Sequence, residues 1–553
     1  MNAAFLPVPP LPPGRPLLVV TGFMGTGKTT SGRVAASLLG LPFFDLDEVL
    51  ERRAGRPVRE VFASLGEPGF RSLERDVVAD ATRLSATIVA TGGGASLDGP
   101  SFAALTRGAV VAVLTADPDD LERRLGAGSD RPLLQPDPTR RIRELLRERE
   151  PLYAKKGEEL ATTSRSPGDV GRELAGRYRR WNRNEGGAAT AITVRGPDGP
   201  YQVAIGSGVL HGLGARLRRV AGASDEAVVV IDRTVEPLLG DRISSALREG
   251  GFRSGPRVVL PPGESAKSLD VVAGVWETFR RRRLDRTAVV VAVGGGAALD
   301  AAGFAAATFA RGVSLVNVPT TLLAMVDASL GGKVAIDHAG AKNLVGAFHH
   351  PILTVVDPTT VRSAPPVATR GGLAEIVKAA MLASPLVFEW LETSPLDETG
   401  LPENLEWLIE QAIRIKAAYV SGDATDRSAR KALNLGHTFA HAVESASGFE
   451  TSHGEAVAIG LVAAARLGAT FGIGPEGLPE RLSTLLGRLR LPVVPPEGLS
   501  GGAMLEAMTA DKKRIGGQSV FVVPATGGAR LLRDVDPRSA LEALLPSEVS
   551  YRG

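Results

Sequence analysis

The sequence predicts an α/β fold class in two halves: a domain with a parallel sheet and helices on both faces, then a unit made of an α/β part and an all-helical part. Residues from about 17 to 165 alternate short apolar runs with helical patterns, which is typical of a parallel sheet covered by helices. The alternation lapses near residues 164–189 and starts again at Ile192. Beyond about residue 365, strand-like runs become rare and long helical patterns dominate.

These changes of pattern give predicted boundaries. A Pro-rich tail over residues 1–16 is expected to be disordered, and the first domain occupies 17–175. A linker is predicted at 176–191, an α/β part at 192–364 and a helical part at 365–553. A chain of 553 residues is too long for one hydrophobic core, in agreement with this division.

Individual strands and helices follow from shorter runs. The predicted strands of the first domain are Leu17–Thr21, Thr87–Ala90 and Val110–Leu114. Those of the second half are Ala227–Asp232, Arg257–Leu260, Ala288–Val293 and Leu315–Val318. The clearest helical patterns are Leu405–Val420 and Leu433–Ser447.

Composition excludes several classes of function. The net charge is only +3 and aromatic residues make up 5%, so nucleic acid is not an expected partner. With no cysteine, disulfides, thiolate catalysis and Cys-based zinc sites are excluded, and any metal must be held by His and carboxylate. Glycines and charged residues interrupt the most apolar stretch, 288–325, so no membrane partner is expected either. We therefore expect a cytoplasmic protein.

The first candidate site is a phosphate-binding loop. Residues 22–29 fit G-x-x-x-x-G-K-[ST], between a predicted strand and a predicted helix. Glycines allow backbone N–H groups to converge on phosphate oxygens at the positive end of the helix. In this pattern Lys28 reaches the β/γ-phosphates and Thr29 binds Mg²⁺.

Further motifs follow this loop in a fixed order: Phe43–Asp47, Phe70–Glu74, Thr91–Gly94, Arg131–Leu134 in a predicted lid, and Arg149–Tyr153. The ordered set resembles shikimate kinase over about residues 15–170. The resemblance implies that Asp47 binds the shikimate hydroxyls and draws the proton from the attacking one. It also implies that Arg71 and Arg149 clamp the shikimate carboxylate, for which a planar guanidinium is suited.

The remaining roles implied by this resemblance concern nucleotide and substrate contacts. Arg131 would neutralise charge on the transferring phosphoryl group, and Arg124 would pack near adenine. The implied ATP and Mg²⁺ ligands are Gly25, Gly27, Lys28, Thr29, Thr30, Asp45, Arg124 and Arg131. The implied shikimate ligands are Asp47, Arg71, Gly92, Gly93, Gly94 and Arg149. Two alternatives are a kinase for another small metabolite, such as gluconate, and a catalytically silent nucleotide-binding module.

The second half contains another glycine turn after a predicted strand. Gly294–Gly296 and Asp300 follow the run 288–293, which brings backbone amides to a phosphate at a helix start. Asp232 ends an earlier predicted strand, where an acidic group suits a ribose diol. This pattern favours a dinucleotide site.

The motifs downstream are Val318–Lys333, Lys342–Asn343, Gly372–Lys378, Asn434–His441, His453–Glu455 and Asp511–Lys513. In order and spacing they resemble 3-dehydroquinate synthase, over about residues 192–540. Two histidines four residues apart, His437 and His441, suggest a metal-binding pair on one helical face. The resemblance instead implies Glu375, His437 and His453 as ligands of Zn²⁺ (or Co²⁺), with His441 on the substrate side.

The resemblance also implies the cofactor and substrate contacts. For NAD they are Asp232, Glu264, Lys267, Gly295, Gly296, Asp300, Thr320, Thr321 and Lys342. For the substrate they are Arg311, Asp327, Lys333, Lys342, Asn343, Lys378, Lys416, Arg430, Asn434, His441 and Lys512. Asp426, where Glu is expected, and Ser363 with its neighbours depart from the family pattern. The family also implies a homodimer through this half.

The implied reaction converts 3-deoxy-D-arabino-heptulosonate 7-phosphate to 3-dehydroquinate and phosphate. Transient oxidation of a hydroxyl by NAD⁺ acidifies a C–H bond, phosphate leaves, the hydride returns and an aldol step closes the ring. The catalytic groups implied for the two halves are Lys28, Asp47, Arg131, Lys333, Lys378, Arg430 and His441. The alternatives for this half are a polyol dehydrogenase of the glycerol dehydrogenase type, another sugar-phosphate cyclase making an inosose or a valiolone, and a scaffold with a relic site.

Overall fold

The computed structural model describes residues 2–92, 94, 98–125, 134, 137–153, 156–184, 190–510 and 520–545. Two compact units account for the chain. The first, which we call the P-loop unit, is residues 14–188. The second, the large unit, combines residues 1–13 with 189–553. The predicted α/β fold class is confirmed, but the large unit contains both ends of the chain.

The N-terminal segment differs from the prediction. Residues 1–16 were expected to be disordered, yet Asn2–Pro7 form strand β1. This strand pairs antiparallel with β17 (Gly528–Arg533), from Asn2 opposite Arg533 to Pro7 opposite Gly528. The prediction was wrong because the pairing partner lies at the other end of the sequence, and local pattern contains no information about it.

The P-loop unit is built on a parallel sheet. Its described strands run in the order β3-β4-β2-β5-β6, and every pairing is parallel. The strands are β2 (Leu18–Gly22), β3 (Phe43–Asp45), β4 (Ile88–Ala90), β5 (Val110–Thr115) and β6 (Glu158–Ala161). Strands β2 and β4 are buried along their whole length, as expected of a sheet covered on both faces.

Helices surround this sheet. They are α1 (Lys28–Leu39), α2 (Leu46–Ala54), α3 (Val58–Ala81), α4 (Gly99–Thr106), α5 (Pro118–Leu125), α6 (Pro138–Tyr153) and α7 (Pro167–Asn184). Helix α7 runs to Asn184, so much of the predicted linker 176–191 is helix. Tyr178 explains this, because its ring is buried and its hydroxyl donates to Pro16 O at 3.1 Å.

The large unit contains a second, larger sheet with the described strand order β10-β9-β11-β12-β15-β8-β7. All pairings are parallel except that of the edge strand β7 with β8. The strands are β7 (Thr190–Gly196), β8 (Gly199–Ile205), β9 (Ala227–Asp232), β10 (Val258–Leu260), β11 (Val289–Gly294), β12 (Ser314–Pro319) and β15 (Leu353–Val356). Alternate residues of β9 enter separate hydrophobic clusters on the two faces of this sheet.

Helices α8 (Leu213–Val220), α9 (Glu236–Glu249), α10 (Leu269–Arg281) and α11 (Gly296–Thr308) belong to the α/β part. A hairpin, β13 (Lys333–His338) and β14 (Ala341–Phe348), follows β12. The helical part contains α12 (Pro366–Ala383), α13 (Pro385–Thr393), α14 (Leu405–Gly422), α15 (His437–Ala446), α16 (His453–Thr470), α17 (Leu478–Arg488), α18 (Gly501–Ala510) and α19 (Pro537–Leu544).

A small antiparallel sheet, which the sequence did not predict, accompanies these helices. Strand β17 is paired on one side with β1 and on the other with β16 (Val520–Ala525). In the described part of the chain, no helix is both long enough and apolar enough to cross a membrane.

Candidate active sites

The phosphate-binding loop connects β2 to α1. Gly25 (φ 80°) and Gly27 (φ 85°) adopt the left-handed conformation that glycine enters at low cost. The Lys28 ammonium donates to the carbonyl oxygens of Gly22 (3.0 Å) and Phe23 (2.9 Å). The loop therefore presents backbone amides, a helix N-terminus and an ammonium group together, which is an anion-binding arrangement.

Beside this loop lies a hydroxyl–carboxylate pair suited to a magnesium shell. Thr29 Oγ1 donates to Asp45 Oδ2 at 2.5 Å, and Thr30 Oγ1 donates to Gly27 O at 3.1 Å. Asp45 ends β3 and caps α2 by accepting from the Asp47 N–H at 3.0 Å. The carboxyl ends of β2 and β3 meet at one edge of the sheet, which is why groups from two motifs come together.

The Thr91–Gly94 segment packs directly on two of the predicted acceptor-site residues. A Cβ atom at Gly92 would lie 2.3 Å from Asp47 Oδ1, and one at Gly94 would lie 2.2 Å from Arg71 Nη1. A larger residue at either position would therefore displace the Asp47 carboxylate or the Arg71 guanidinium from the place that it has here. The structure thus brings Asp47 and Arg71 to the same segment of backbone, while Gly93 lies outside the described residues.

Arg71 and Arg149 share a neighbour, Glu74, to which the sequence analysis gave no role. Arg71 Nη1 lies 2.6 Å from Glu74 Oε2. Burial raises the pKa of the Glu74 carboxyl, and the charges of Arg71 and Arg149 oppose this rise. Glu74 therefore fixes the position of Arg71. Its spacing three residues after Arg71 on α3 was the available signal.

A cavity of about 480 Å³ opens over the phosphate-binding loop. Arg124 lies on its wall, donating to Gly25 O (3.3 Å) and to Thr162 O (2.7 Å). Thr162 and Arg165 also line the cavity and were not predicted. Arg131 lies outside the described residues.

In the large unit, the predicted dinucleotide residues converge at the carboxyl ends of β9, β11 and β12. Asp232 ends β9, and a Cβ at Gly294 would lie 3.0 Å from the Asp232 Cβ. The Thr320 N–H donates to Gly294 O at 2.9 Å. A Cβ at Gly295 would meet Thr321 Cγ2 at 3.3 Å. Gly296 begins α11, so its amide is at a helix N-terminus.

A second cluster of polar side chains surrounds Asp300, which lies further along α11. Lys267 Nζ contacts Asp300 Oδ2 at 2.9 Å, Glu264 Oε1 at 3.8 Å, and the side-chain oxygen of Asn343. Burial raises the pKa of Asp300 to about 6 against the attraction of Lys267. The structure brings these four predicted residues together, with Lys267 at the centre.

The predicted metal ligands meet between helices α12, α15 and α16. Potential ligand atoms of Glu375, His437 and His453 all lie within 4.8 Å of one another. Glu375 Oε1 is 3.6 Å from His437 Nε2 and 3.9 Å from His453 Nε2. Among the described residues, this buried carboxylate oxygen has no hydrogen-bond partner. A divalent cation fits, since it would give the oxygen the partner that burial otherwise denies it.

The two histidines are oriented by groups behind them. His437 Nδ1 lies 3.1 Å from Leu435 O, which in a neutral imidazole leaves the Nε2 lone pair facing Glu375. His453 Nδ1 lies 3.4 Å from Glu444 Oε1. Glu444 was not predicted. The available signal was its position seven residues after His437, on the same face of α15.

Next to the metal ligands is a buried group of charges. Lys378 pairs with Glu375, and Lys416 pairs with Asp327, whose carbonyl oxygen is 2.6 Å away. Burial opposes ionisation of Asp327, but Lys416 and Lys378 outweigh it and hold the pKa of Asp327 below its usual value. Burial lowers the pKa of Lys416 to about 8 against the pull of Asp327, and burial also lowers that of Arg430.

Arg430 is held by the backbone at the edge of this group. Its Nη1 donates to Gly331 O (3.1 Å) and Ala424 O (3.0 Å), and a Cβ at Gly331 would lie 2.1 Å from Nη2. Lys333 forms an ion pair with Asp426, so the shorter carboxylate at this position still reaches its partner. The second departure, Ser363, ends the 3-10 helix Pro358–Ser363 that precedes α12.

Five predicted substrate residues remain. The His441 and His437 ring centroids are 5.9 Å apart, so His441 adjoins the ligands. Asn434 ends the 3-10 helix Ala429–Asn434, and Lys342 Nζ lies 4.3 Å from the centroid of the Phe449 ring. Arg311 is exposed at the end of the 3-10 helix Phe309–Arg311, with φ 66°. Lys512 lies outside the described residues.

Comparisons with known proteins match both halves. Family models match residues 24–177 (shikimate kinase), 257–370 (3-dehydroquinate synthase N-terminal) and 372–514 (3-dehydroquinate synthase C-terminal). The 3-dehydroquinate synthase of Symbiobacterium thermophilum is 42% identical over 350 residues, or 62% of this chain and 98% of its own length. This chain belongs to the 3-dehydroquinate synthase family. It also carries a shikimate kinase domain, and the two matches support both enzymatic activities.

Other relatives agree with the family assignment. The 3-dehydroquinate synthase of a Synechococcus strain is 40% identical over 64% of this chain and 97% of its own. Among solved structures, the 2-epi-5-epi-valiolone synthase ValA of Streptomyces hygroscopicus, with NAD⁺ and Zn²⁺ bound, is 28% identical over 62% of this chain and 95% of its own, with a TM-score of 0.56. A 2-deoxy-scyllo-inosose synthase complexed with carbaglucose-6-phosphate, NAD⁺ and Co²⁺ shares the fold, at 24% identity, a TM-score of 0.56, and coverage of 64% of this chain and 99% of its own.

Proposed function

We propose that the large unit converts 3-deoxy-D-arabino-heptulosonate 7-phosphate to 3-dehydroquinate and phosphate, using NAD and Zn²⁺ (or Co²⁺). The observation that carries this proposal is the unpaired, buried Glu375 Oε1 between two imidazole Nε2 atoms, next to a group of buried cations. When bound, NAD⁺ supplies a reversible hydride acceptor, and the metal supplies a Lewis acid for vicinal hydroxyls. Glu375, His437 and His453 would hold that metal.

The charges near this position favour a substrate with more than one negative group. Three buried cations, Lys378, Lys416 and Arg430, lie here, and the carboxylates that act on them include Glu375, Asp327, Asp423 and Asp426. Asp426 is paired with Lys333 and Asp423 accepts from backbone N–H groups, so a metal bound by Glu375 would add positive charge that these groups do not offset. A carboxylate and a phosphate on one substrate would offset it, whereas a neutral polyol would leave it uncompensated.

The polar groups around the proposed NAD position match different parts of a dinucleotide. Asp232 suits a ribose diol, and the Gly294–Gly296 turn suits a pyrophosphate at the start of α11. Lys267 is held by Asp300 and Asn343, so its ammonium is pre-positioned before any ligand arrives. On the hairpin, Lys342 reaches toward the helical part and would contribute to the same ligand or to the substrate.

For the P-loop unit we propose ATP-dependent 3-phosphorylation of shikimate. When bound, Mg²⁺ with ATP supplies charge neutralisation, and Thr29 and Asp45 would complete its shell. Lys28 and the amides of the loop bind the β/γ-phosphates. Asp47 accepts a proton from the attacking hydroxyl. Arg71, fixed by Glu74, binds the acceptor's carboxylate together with Arg149.

The first test addresses the large unit. Purified protein is incubated with NAD⁺, Zn²⁺ and 3-deoxy-D-arabino-heptulosonate 7-phosphate, and phosphate and 3-dehydroquinate are followed with and without a chelator. We expect equal amounts of both products, lost with chelator and in His437→Ala, and kept in the matched control His211→Ala, whose side chain is exposed on another element. Accumulation of NADH with a polyol would refute the assignment.

A valiolone synthase is the one rival with a specific observation behind it, the 28% identity to ValA. A heptulose 7-phosphate without the carboxylate is the matched substrate that tests this alternative. Turnover of this sugar phosphate in preference to the acid would move the assignment to that cyclase. Shikimate and ATP, with release of ADP as the readout, test the P-loop unit in the same preparation.

We further propose that the protein acts in the cytoplasm, where ATP and NAD are available, as a homodimer through the large unit. The hairpin strand β14 exposes Leu344, Val345 and Phe348, which is an unusual apolar run for a surface. Light scattering of the wild type and of Leu344→Lys tests this: the variant should be a monomer, and a wild-type monomer would refute the proposal.

A further inference from the structure

Residues 2–13 precede the P-loop unit in the sequence but belong to the large unit in the structure. Strand β1 adds to β17 along its whole length. The approach is close, because a Cβ at Gly528 (φ 155°) would lie 2.3 Å from Leu6 O. The Arg530 guanidinium also lies 6.0 Å from the centroid of the Phe5 ring. The P-loop unit is therefore inserted in the large unit, between β1 and β7.

The Pro-rich stretch after β1 is anchored on helix α14. The Arg414 Nε–H donates to Pro12 O at 3.0 Å, and Arg414 is itself buried. One turn earlier on the same helix, Glu410 Oε2 accepts from Thr190 Oγ1 at 3.5 Å. Both points where the chain leaves and re-enters the large unit are thus held by residues four apart on one helix. Prolines in this stretch restrict its conformations, which lowers the entropy lost on docking.

The elements that this segment contacts carry proposed substrate ligands. Helix α14 bears Lys416 two residues beyond Arg414. The 3-10 helix Ala429–Asn434, which bears Arg430 and Asn434, contacts both β1 and β17. The metal ligands lie on other helices, α12, α15 and α16.

We propose that residues 2–13 are a positioning segment of the synthase site, which sets Lys416 and Arg430 for the anionic substrate, and that the kinase is an insertion within the synthase. This inference rests on the proposed function for its substrate. It assigns to the segment an effect on substrate binding that is separable from metal binding, because the two sets of residues lie on different elements.

The test compares the full chain with a variant lacking residues 2–13, and adds a synthetic peptide of residues 2–13 to the latter. We expect the deletion to raise KM for 3-deoxy-D-arabino-heptulosonate 7-phosphate at least tenfold, with zinc content, NAD affinity and the kinase rate unchanged. Added peptide should bind, as measured by calorimetry, and should lower KM again, whereas a peptide of the same composition in scrambled order should not.

Two results would overturn the inference: an unchanged KM in the deletion variant, or a peptide that fails to bind to it. Should the deletion variant not fold, Arg414→Lys in the full chain replaces it, since lysine keeps the charge but cannot present Nε–H to Pro12. That variant should raise KM with zinc content unchanged, and an unchanged KM would again refute the inference. A wild-type chain that does not turn over the substrate refutes the proposed function instead, and calorimetry still shows whether residues 2–13 dock on the large unit.

Discussion

Replacing Gly92 by alanine should disable the kinase by displacing one carboxylate. The new Cβ would lie 2.3 Å from Asp47 Oδ1, whereas real Cβ atoms essentially never come closer than 3.0 Å to another heavy atom. Asp47 Oδ1 must therefore move by at least 0.7 Å, and a misplacement of about 1 Å can cost on the order of 100-fold in rate when the group must meet a reacting atom. We expect kcat for shikimate phosphorylation to fall by about that factor, with KM for ATP nearly unchanged.

The assay is ADP release with saturating shikimate and ATP, and the chain supplies its own internal control. Formation of 3-dehydroquinate by the same preparation should be unaffected, which separates a local effect from misfolding. Gly99→Ala is the matched variant, because no described atom lies within 4 Å of its Cβ position and its backbone is unstrained. A Gly92→Ala enzyme with the kcat of Gly99→Ala would refute the role given to Asp47.

Three further predictions concern the large unit. Glu444→Gln removes the carboxylate behind His453 and should weaken zinc affinity roughly 10- to 100-fold, measured by competition with a chromophoric chelator; unchanged affinity would contradict the second-layer role. Asp327→Asn removes the carboxylate that raises the pKa of Lys416, which is about 8, so the pKa of Lys416 should fall. The alkaline limb of the kcat/KM–pH profile should then move to lower pH, and a move to higher pH would contradict this prediction. Phe449→Ala removes the ring over Lys342 and should weaken NAD or substrate affinity by up to about fivefold, whereas Phe449→Tyr should be close to wild type. Equal losses of affinity in the two variants would exclude the cation–π contact as the cause.

Much of the fold could be predicted because the decisive signals are local. Strand β9 was predicted at the bounds at which it occurs, since an uninterrupted apolar run is what a strand buried on both faces requires. The phosphate-binding loop is likewise short in sequence, and glycine is needed at Gly25 and Gly27 for backbone reasons that a motif records directly. Residues that directly follow adjacent parallel strands could also be predicted to lie close together, because the carboxyl ends of such strands meet at one edge of the sheet.

What could not be predicted depends on distant partners. Strand β1 pairs with a strand near the other end of the chain, and Pro-rich flanks made it look unstructured. Glu444 belongs to no recognised motif, and Glu74 ends one without having been given a role; the importance of each comes from the side chain that it holds, His453 and Arg71 respectively. One continuous helix was predicted over Leu433–Ser447, but the structure has a 3-10 helix that ends at Asn434 and a separate helix, α15, that begins at His437. This break determines the direction of the His437 side chain.

Because the P-loop unit is inserted in the large unit, the large unit depends on the folding of the P-loop unit, but the P-loop unit does not depend on the large unit. The P-loop unit is continuous in sequence, and its start and last helix meet where Tyr178 donates to Pro16 O, so it can fold without the rest of the chain. The large unit needs a segment from each side of it. If the P-loop unit unfolds, docking of residues 2–13 must close a long disordered loop, which costs on the order of a few kcal/mol in chain entropy. A core lesion such as Val89→Asp should therefore raise KM of the synthase as well as abolish the kinase, whereas His437→Ala should leave the kinase untouched. Parallel assays of both activities on these two variants would refute this asymmetry if the synthase KM did not respond to Val89→Asp, or if kinase activity fell with His437→Ala.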